Sequence, residues 1–270
     1  MLSPRVLTAL LAIPVVALVV WQGGVLFFAV AFLLAFLSLY EIAGASRTSG
    51  TPLVEVLAYP ALFLVMLTPL FLGSGHSALA HTESLLPWLP WMIVVLVSVW
   101  AVVAYPTPRR VSLVSVALTF LSIFYVGLFT FLVLLRELHQ GYIFIWLTLL
   151  GVWTGDTVAY YAGRAWGRTK LTSLSPGKTR EGALAGLLGT VMVCTFVAWR
   201  TNLGLPHGII LGVLIGLIAP LGDLAESFWK RELGVKDLGS LLPGHGGVLD
   251  RCDSLLFAAF TVYCYVLSQM

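Results

Sequence analysis

The sequence predicts an all-α, polytopic integral membrane protein with about nine transmembrane helices and a cytoplasmic N-terminus. Three observations predict it. Of 270 residues, 59% are hydrophobic and only 10% charged, against about 25% charged in a soluble domain. The apolar residues fall in separate runs close to the ~20 residues that a spanning helix needs. The basic residues gather on one side of those runs, as the positive-inside rule requires. Net charge is only +3, so no general basic surface points to nucleic acid, and the placement of the charges carries the information.

The first span covers 6–22. Its apolar stretch exceeds the roughly 7–15 residues of a signal-peptide core, and Trp21-Gln22-Gly23-Gly24 makes a poor cleavage site, so it reads as a retained helix. Spans two and three follow at 25–45 and 53–73. The next loop holds His76, His81 and Glu83 but no Lys or Arg, as an outside loop should. Spans four and five cover 87–105 and 111–135, and the last four cover 142–163, 181–199, 208–229 and 252–269. The flanks of spans two and five are short. No soluble domain is visible, nor the internal repeat of inverted-repeat transporters.

This order places 13 of the 15 basic residues inside and only Arg136 and Arg200 outside. An odd number of spans then puts the C-terminus outside. Eight of the twelve acids lie after residue 150. Residues 1–140 therefore read as scaffold helices, and 141–270 as a catalytic region around a polar cavity facing the cytoplasm. Cys194, Cys252 and Cys264 match no zinc or redox spacing and read as small buried side chains.

The most informative segment is SFWKRELGVKDLGSLLPGHGGVLDRCD, from Ser227 to Asp253. Charges crowded between two hydrophobic spans mark a functional site. Asp156 lies eight residues before Arg164, and Asp223 seven before Lys230. Both carboxylates therefore sit roughly 10–12 Å below the cytoplasmic ends of their helices. Asp250 and Asp253 open span nine, three apart on one expected helical face. Four carboxylates can thus converge, and a divalent cation among them would offset their charge. Asp223, Glu226, Ser227 and Lys230 share a helical stripe. A plain Glu226–Lys230 pair is the alternative, but such pairs contribute only about a few tenths of a kcal/mol and would not offset burial.

Two loops complete the constellation. Ser175-Pro176-Gly177-Lys178-Thr179-Arg180-Glu181-Gly182 places basic residues before a helix N-terminus, where free N–H groups attract anions. It is not a P-loop, and an ordinary positive-inside loop is the alternative. Pro243-Gly244-His245-Gly246-Gly247 is a turn of low bulk in which Gly246 and Gly247 let backbone approach a ligand. His245 could donate to a phosphate or act as an acid, the alternative being a solvated histidine. Asp156, in Trp153-Thr154-Gly155-Asp156-Thr157, has helix packing as its alternative. His76, His81, His139 and His207 receive no chemistry.

The chain resembles the phosphatidate cytidylyltransferases, or CDP-diacylglycerol synthases. The matching residues are Ser227, Lys230, Arg231, Lys236, Asp237, His245, Gly246, Gly247, Asp250, Arg251 and Asp253, spread over 27 positions. The segments Gly155–Tyr160 and Ser175–Gly182 are also similar. The resemblance covers about residues 140–270 well; before that, only hydrophobic spans agree. It implies transfer of CMP from CTP to phosphatidate, giving CDP-diacylglycerol and pyrophosphate. It implies Mg²⁺ on Asp223 and Asp250, with K⁺ as a candidate to share that site. It also implies a bacterial inner membrane and a homodimer. The expected catalytic group is then Asp223, Asp250, Lys230, Arg231, Asp156 and His245. The expected substrate contacts are Ser175, Lys178, Arg180, Glu226, Ser227, Lys236, Asp237, Gly246, Gly247, Arg251 and Asp253. An ionised phosphate of phosphatidate needs no strong base, so positioning and charge neutralisation suffice. A CTP-dependent lipid or polyprenol kinase and a membrane transporter are the competing readings.

Overall fold

The computed structural model describes residues 4–72, 99, 112–241 and 246–269. Its helices are α1 (Pro4–Gln22), α2 (Gly24–Thr48), α3 (Glu55–Leu72), α4 (Leu113–Gly127), α5 (Phe129–Glu137), α6 (Gly141–Trp166), α7 (Arg180–Arg200), α8 (Leu205–Glu232) and α9 (Asp253–Gln269). Among the described residues, five runs are long and apolar enough to cross a membrane: α2, α4 with α5, α6, α7 and α8. The chain is an all-α integral membrane protein. The span expected at 87–105 and the loop before it lie outside the described residues, apart from helical Val99. The span expected at 111–135 is interrupted at Leu128, where Leu128 N–H bonds to Tyr125 O and Phe131 N–H to Leu128 O in tight three-residue steps.

Helices α6, α7 and α8 form the most intimate packing, and α9 closes against α8. Lipid supplies no hydrophobic drive between helices, so small residues that let backbones meet take over. Gly151, Gly155, Ala159 and Gly163 recur every four residues on α6, facing Gly182, Gly186 and Thr190 of α7. A Cβ on Gly155 would stand 2.6 Å from Thr190 Oγ1, and one on Gly186 2.8 Å from Gly155 O. Thr190 Oγ1 donates to Gly151 O at 3.1 Å. On α8, Gly208, Gly212 and Gly216 meet α7 in the same way. Inside α8, Pro220 supplies no N–H, which removes the helical donor for Gly216 O one turn before Asp223.

Helices α2 to α5 make the second half of the bundle, with α9 touching α5, α6 and α8. Arg136 ties α1 to it by donating to Val20 O at 2.8 Å and Trp21 O at 3.1 Å. Those carbonyls belong to the last turn of α1, which has no internal donors for them.

Candidate active site

One cavity of about 830 Å³ opens where α6, α7 and α8 meet the loop before α7 and the start of α9. The stripe on α8 supplies Asp223, Glu226 and Lys230; α6 supplies Asp156, Tyr160 and Arg164. Arg164 donates to the Tyr160 hydroxyl at 3.2 Å.

The loop before α7 is a small hairpin rather than an open coil. Lys170 and Thr179 pair as an isolated antiparallel bridge, with Leu171 N–H donating to Lys178 O and Arg180 N–H to Thr169 O. Glu181, in the first turn of α7, accepts from Thr169 Oγ1 at 2.7 Å and from the Arg168 and Thr169 N–H groups. Thr179 caps α7 by accepting from Gly182 N–H at 3.1 Å. These bonds aim Lys178 into the cavity, where its Nζ lies 2.5 Å from Asp223 Oδ2.

Opposite the hairpin, Lys230 Nζ stands 2.8 Å from both Glu226 Oε2 and Asp250 Oδ1. Asp250 lies in a 3₁₀ turn, Leu249–Arg251, ahead of α9. The expected common helical face with Asp253 is therefore not formed. Asp250 Oδ2 accepts from Gly247 N–H at 2.7 Å, while Asp253 faces the other carboxylates as the first residue of α9. Burial alone would raise the Asp250 carboxyl, but the hydrogen bonds from Lys230 and the Gly247 N–H, with the nearby lysine charge, help to hold it below its ordinary value.

Asp223, Glu226 and Asp253 each bring a carboxylate oxygen within 4.8 Å of the others. Glu226 and Asp253 are buried, at 1% and 7% exposure. Glu226 Oε1 is buried with no hydrogen-bond partner among the described residues. A buried oxygen with a free lone pair, facing two further carboxylates, fits a hard cation. Among the described charged residues lining the cavity, six are acids (Asp156, Asp223, Glu226, Asp237, Asp250, Asp253) and four are bases (Arg164, Lys178, Lys230, Arg251). Fully ionised, that leaves two negative charges, which one divalent ion would balance.

Of the residues expected from sequence, Asp156, Lys178, Asp223, Glu226, Lys230, Asp237, Asp250, Arg251 and Asp253 line the cavity. Ser227 sits behind Asp223, its hydroxyl 3.4 Å from Oδ1. Arg180, Arg231 and Lys236 are exposed and do not line the cavity; nor does the half-buried Ser175. Gly246 (φ 81°) and Gly247 turn the chain beside Asp250. His245 lies outside the described residues.

Sequence reasoning missed Glu41 of α2. Its carboxylate is 3% exposed and accepts from Val248 N–H at 2.8 Å and Leu249 N–H at 3.1 Å. The available signal was a lone acid inside an otherwise apolar span.

The sequence profile of the cytidylyltransferase family matches residues 3–269. A phosphatidate cytidylyltransferase of Staphylococcus saprophyticus is 34% identical over 256 residues, covering 94% of each chain. One from Staphylococcus aureus strain COL is 32% identical over 262 residues, again 94% of each. One from Synechocystis sp. is 49% identical over 119 residues, 43% of this chain and 40% of that one.

Proposed function

The chain belongs to the cytidylyltransferase family, and from that premise we propose that it is a phosphatidate cytidylyltransferase. It transfers CMP from CTP to phosphatidate, releasing pyrophosphate and forming CDP-diacylglycerol. The observation that carries this reading is the cavity itself: carboxylates with cation-binding chemistry face lysines already held in place for phosphate. Its volume lies toward the upper end of the roughly 300–1,000 Å³ of small-molecule sites, which suits a nucleoside triphosphate beside a lipid phosphate.

The attacking phosphatidate oxygen is already ionised at neutral pH, so the protein need not remove a proton. Lys178, Lys230, Arg164 and Arg251 neutralise phosphate oxygens and hold them in line. Lys178 and Lys230 rest on carboxylates before substrate arrives, which fixes their ammonium groups and lowers the reorganisation needed. Asp223, Glu226 and Asp253, with Asp250 beside them, are the groups that would hold Mg²⁺. When bound, Mg²⁺ would withdraw charge from the phosphates and stabilise the departing pyrophosphate. K⁺ is a second candidate for the same carboxylates.

The proposed setting is the bacterial inner membrane, with the N-terminus and cavity facing the cytoplasm. The 13-to-2 division of basic residues supports it. CTP would reach the cavity from water and the lipid from the side. A homodimer is proposed from the family resemblance alone.

The test is purified protein with phosphatidate, α-labelled CTP and Mg²⁺, with and without EDTA. Metal-dependent labelled lipid and stoichiometric pyrophosphate are expected. Label transferred only from γ-labelled CTP to a lipid alcohol would replace the reading with a kinase. Transport without CTP consumption would replace it with a transporter.

A further inference from the structure

We propose that Glu41 is a positioning residue for the cavity: from α2 it fixes the backbone of the 248–250 turn and, through it, the Asp250 carboxylate. The turn needs an outside partner. The 3₁₀ segment Leu249–Arg251 has no side-chain cap of its own, and the first N–H groups of any helical turn lack internal acceptors. Glu41 supplies both acceptors at once, one oxygen to Val248 N–H and the other to Leu249 N–H. A two-oxygen contact fixes orientation as well as distance, which one oxygen cannot do.

The fit around the carboxylate is specific. A Cβ on Gly239 would collide with the Glu41 side chain. A Cβ on Gly247 would stand 2.7 Å from Glu41 Oε2 and 2.8 Å from Asp250 Oδ2. The Gly247 backbone therefore lies between the two carboxylates, and its N–H donates to Asp250. Only the missing side chain lets them approach it together. Asp250 in turn receives Lys230, which also holds Glu226. The line from Glu41 to the proposed cation-binding carboxylates thus runs through two hydrogen bonds to the turn, the short backbone of the turn itself, and the ion pairs of Lys230. A buried carboxylate in an apolar span is costly to keep, and here its two acceptor oxygens are spent on the turn that carries Asp250.

The kinetic consequence rests on the proposed cytidylyl transfer; the structural one does not. Glu41→Gln keeps the shape but turns an N–H₂ toward one of the two backbone donors. Hydrogen–deuterium exchange of the full-length protein in detergent reads the structural link directly. Peptides spanning 246–252 should exchange faster in Glu41→Gln, with α8 and α9 peptides unchanged. In the same preparation, kcat should fall about tenfold to a hundredfold, the usual effect of losing an orienting partner. KM for CTP should move less than kcat, and the Mg²⁺ concentration for half-activity should rise. Glu41→Asp, which keeps both oxygens, should recover part of kcat, as a side chain serving bulk packing would not. Unchanged exchange at 246–252 overturns the proposal, as does faster exchange with unchanged kcat. If Glu41→Gln unfolds, Glu41→Asp carries the comparison, and wild-type exchange and wild-type kcat in that variant overturn it. If the wild type transfers no cytidylyl group, the functional reading fails while the exchange result still decides the structural link.

Discussion

Lys230→Met removes the cation that joins α8 to the 3₁₀ turn. The lysine side chain is 17% exposed, and its partners Glu226 and Asp250 are 1% and 8% exposed. Breaking a buried pair by deleting one partner costs about 3–5 kcal/mol, because a charge is left without compensation. Lys230 borders the cavity, so water can reach the stranded oxygens, and the low end, about 3 kcal/mol, applies. At roughly 2–4 °C per kcal/mol for a chain of this size, Tm should fall by roughly 6–12 °C. The assay is a thermal scan in detergent without divalent ions, repeated with Mg²⁺. The added cation should restore part of the loss by binding the exposed carboxylates. Adding Glu226→Gln neutralises one stranded group and should return about half of the loss, since Asp250 keeps the Gly247 N–H. A Tm within about 2 °C of wild type, or a double variant less stable than the single, would refute the reasoning. Either result would mean that Lys230 does not offset those carboxylates.

Asp223→Asn should abolish cytidylyl transfer while Tm stays close to wild type, measured by labelled-lipid formation beside a thermal scan. Lys178→Met separates site from stability in another way. Its pair with Asp223 is 26% and 34% exposed, so the stability cost should be within about 1 kcal/mol, whereas kcat/KM for CTP should fall at least tenfold, about 1.4 kcal/mol of transition-state stabilisation. Gly186→Val should act through packing, since its first carbon already meets Gly155 O and Ala159 Cβ. A loss of about 1–3 kcal/mol should appear as a lower Tm, with activity per folded molecule falling less than in Lys178→Met.

The helices were legible because hydrophobic run length answers to one physical constraint, the thickness of the bilayer. Eight of the nine expected spans coincide with described helical regions. The break at Leu128 was not legible: hydropathy is uniform there, while the packing of Gly127 against Val65 is a tertiary matter. Asp223, Glu226 and Lys230 were legible because helical periodicity alone puts them on one stripe. The separation of Asp250 from Asp253 was not, because a spacing of three looks the same in a helix and across a turn into one. Glu41 lay further out of reach. Its partners are 207 and 208 residues away, and one acid in an apolar span signals a cost without naming what offsets it.

That cost explains the arrangement. Among the described residues, six carboxylates and four basic groups line a cavity within a largely apolar bundle. Had the charges been balanced by tight internal pairs, the site would be stable and would have no use for a cation. Here the lysines are shared instead. Lys230 divides itself between Glu226 and Asp250, and Lys178 rests on a partly exposed Asp223, where the pair adds little stability. Glu226 Oε1 is left without a partner among the described residues. An under-compensated negative site of this kind would favour a divalent ion, and under the proposed function that ion and the pre-positioned lysines would together favour polyphosphate. The scaffold must then offset what the site does not, through the close glycine contacts of α6, α7 and α8 and through Glu41 gripping the turn from α2. Stability is placed in backbone contacts so that the side chains in the cavity remain available for substrate.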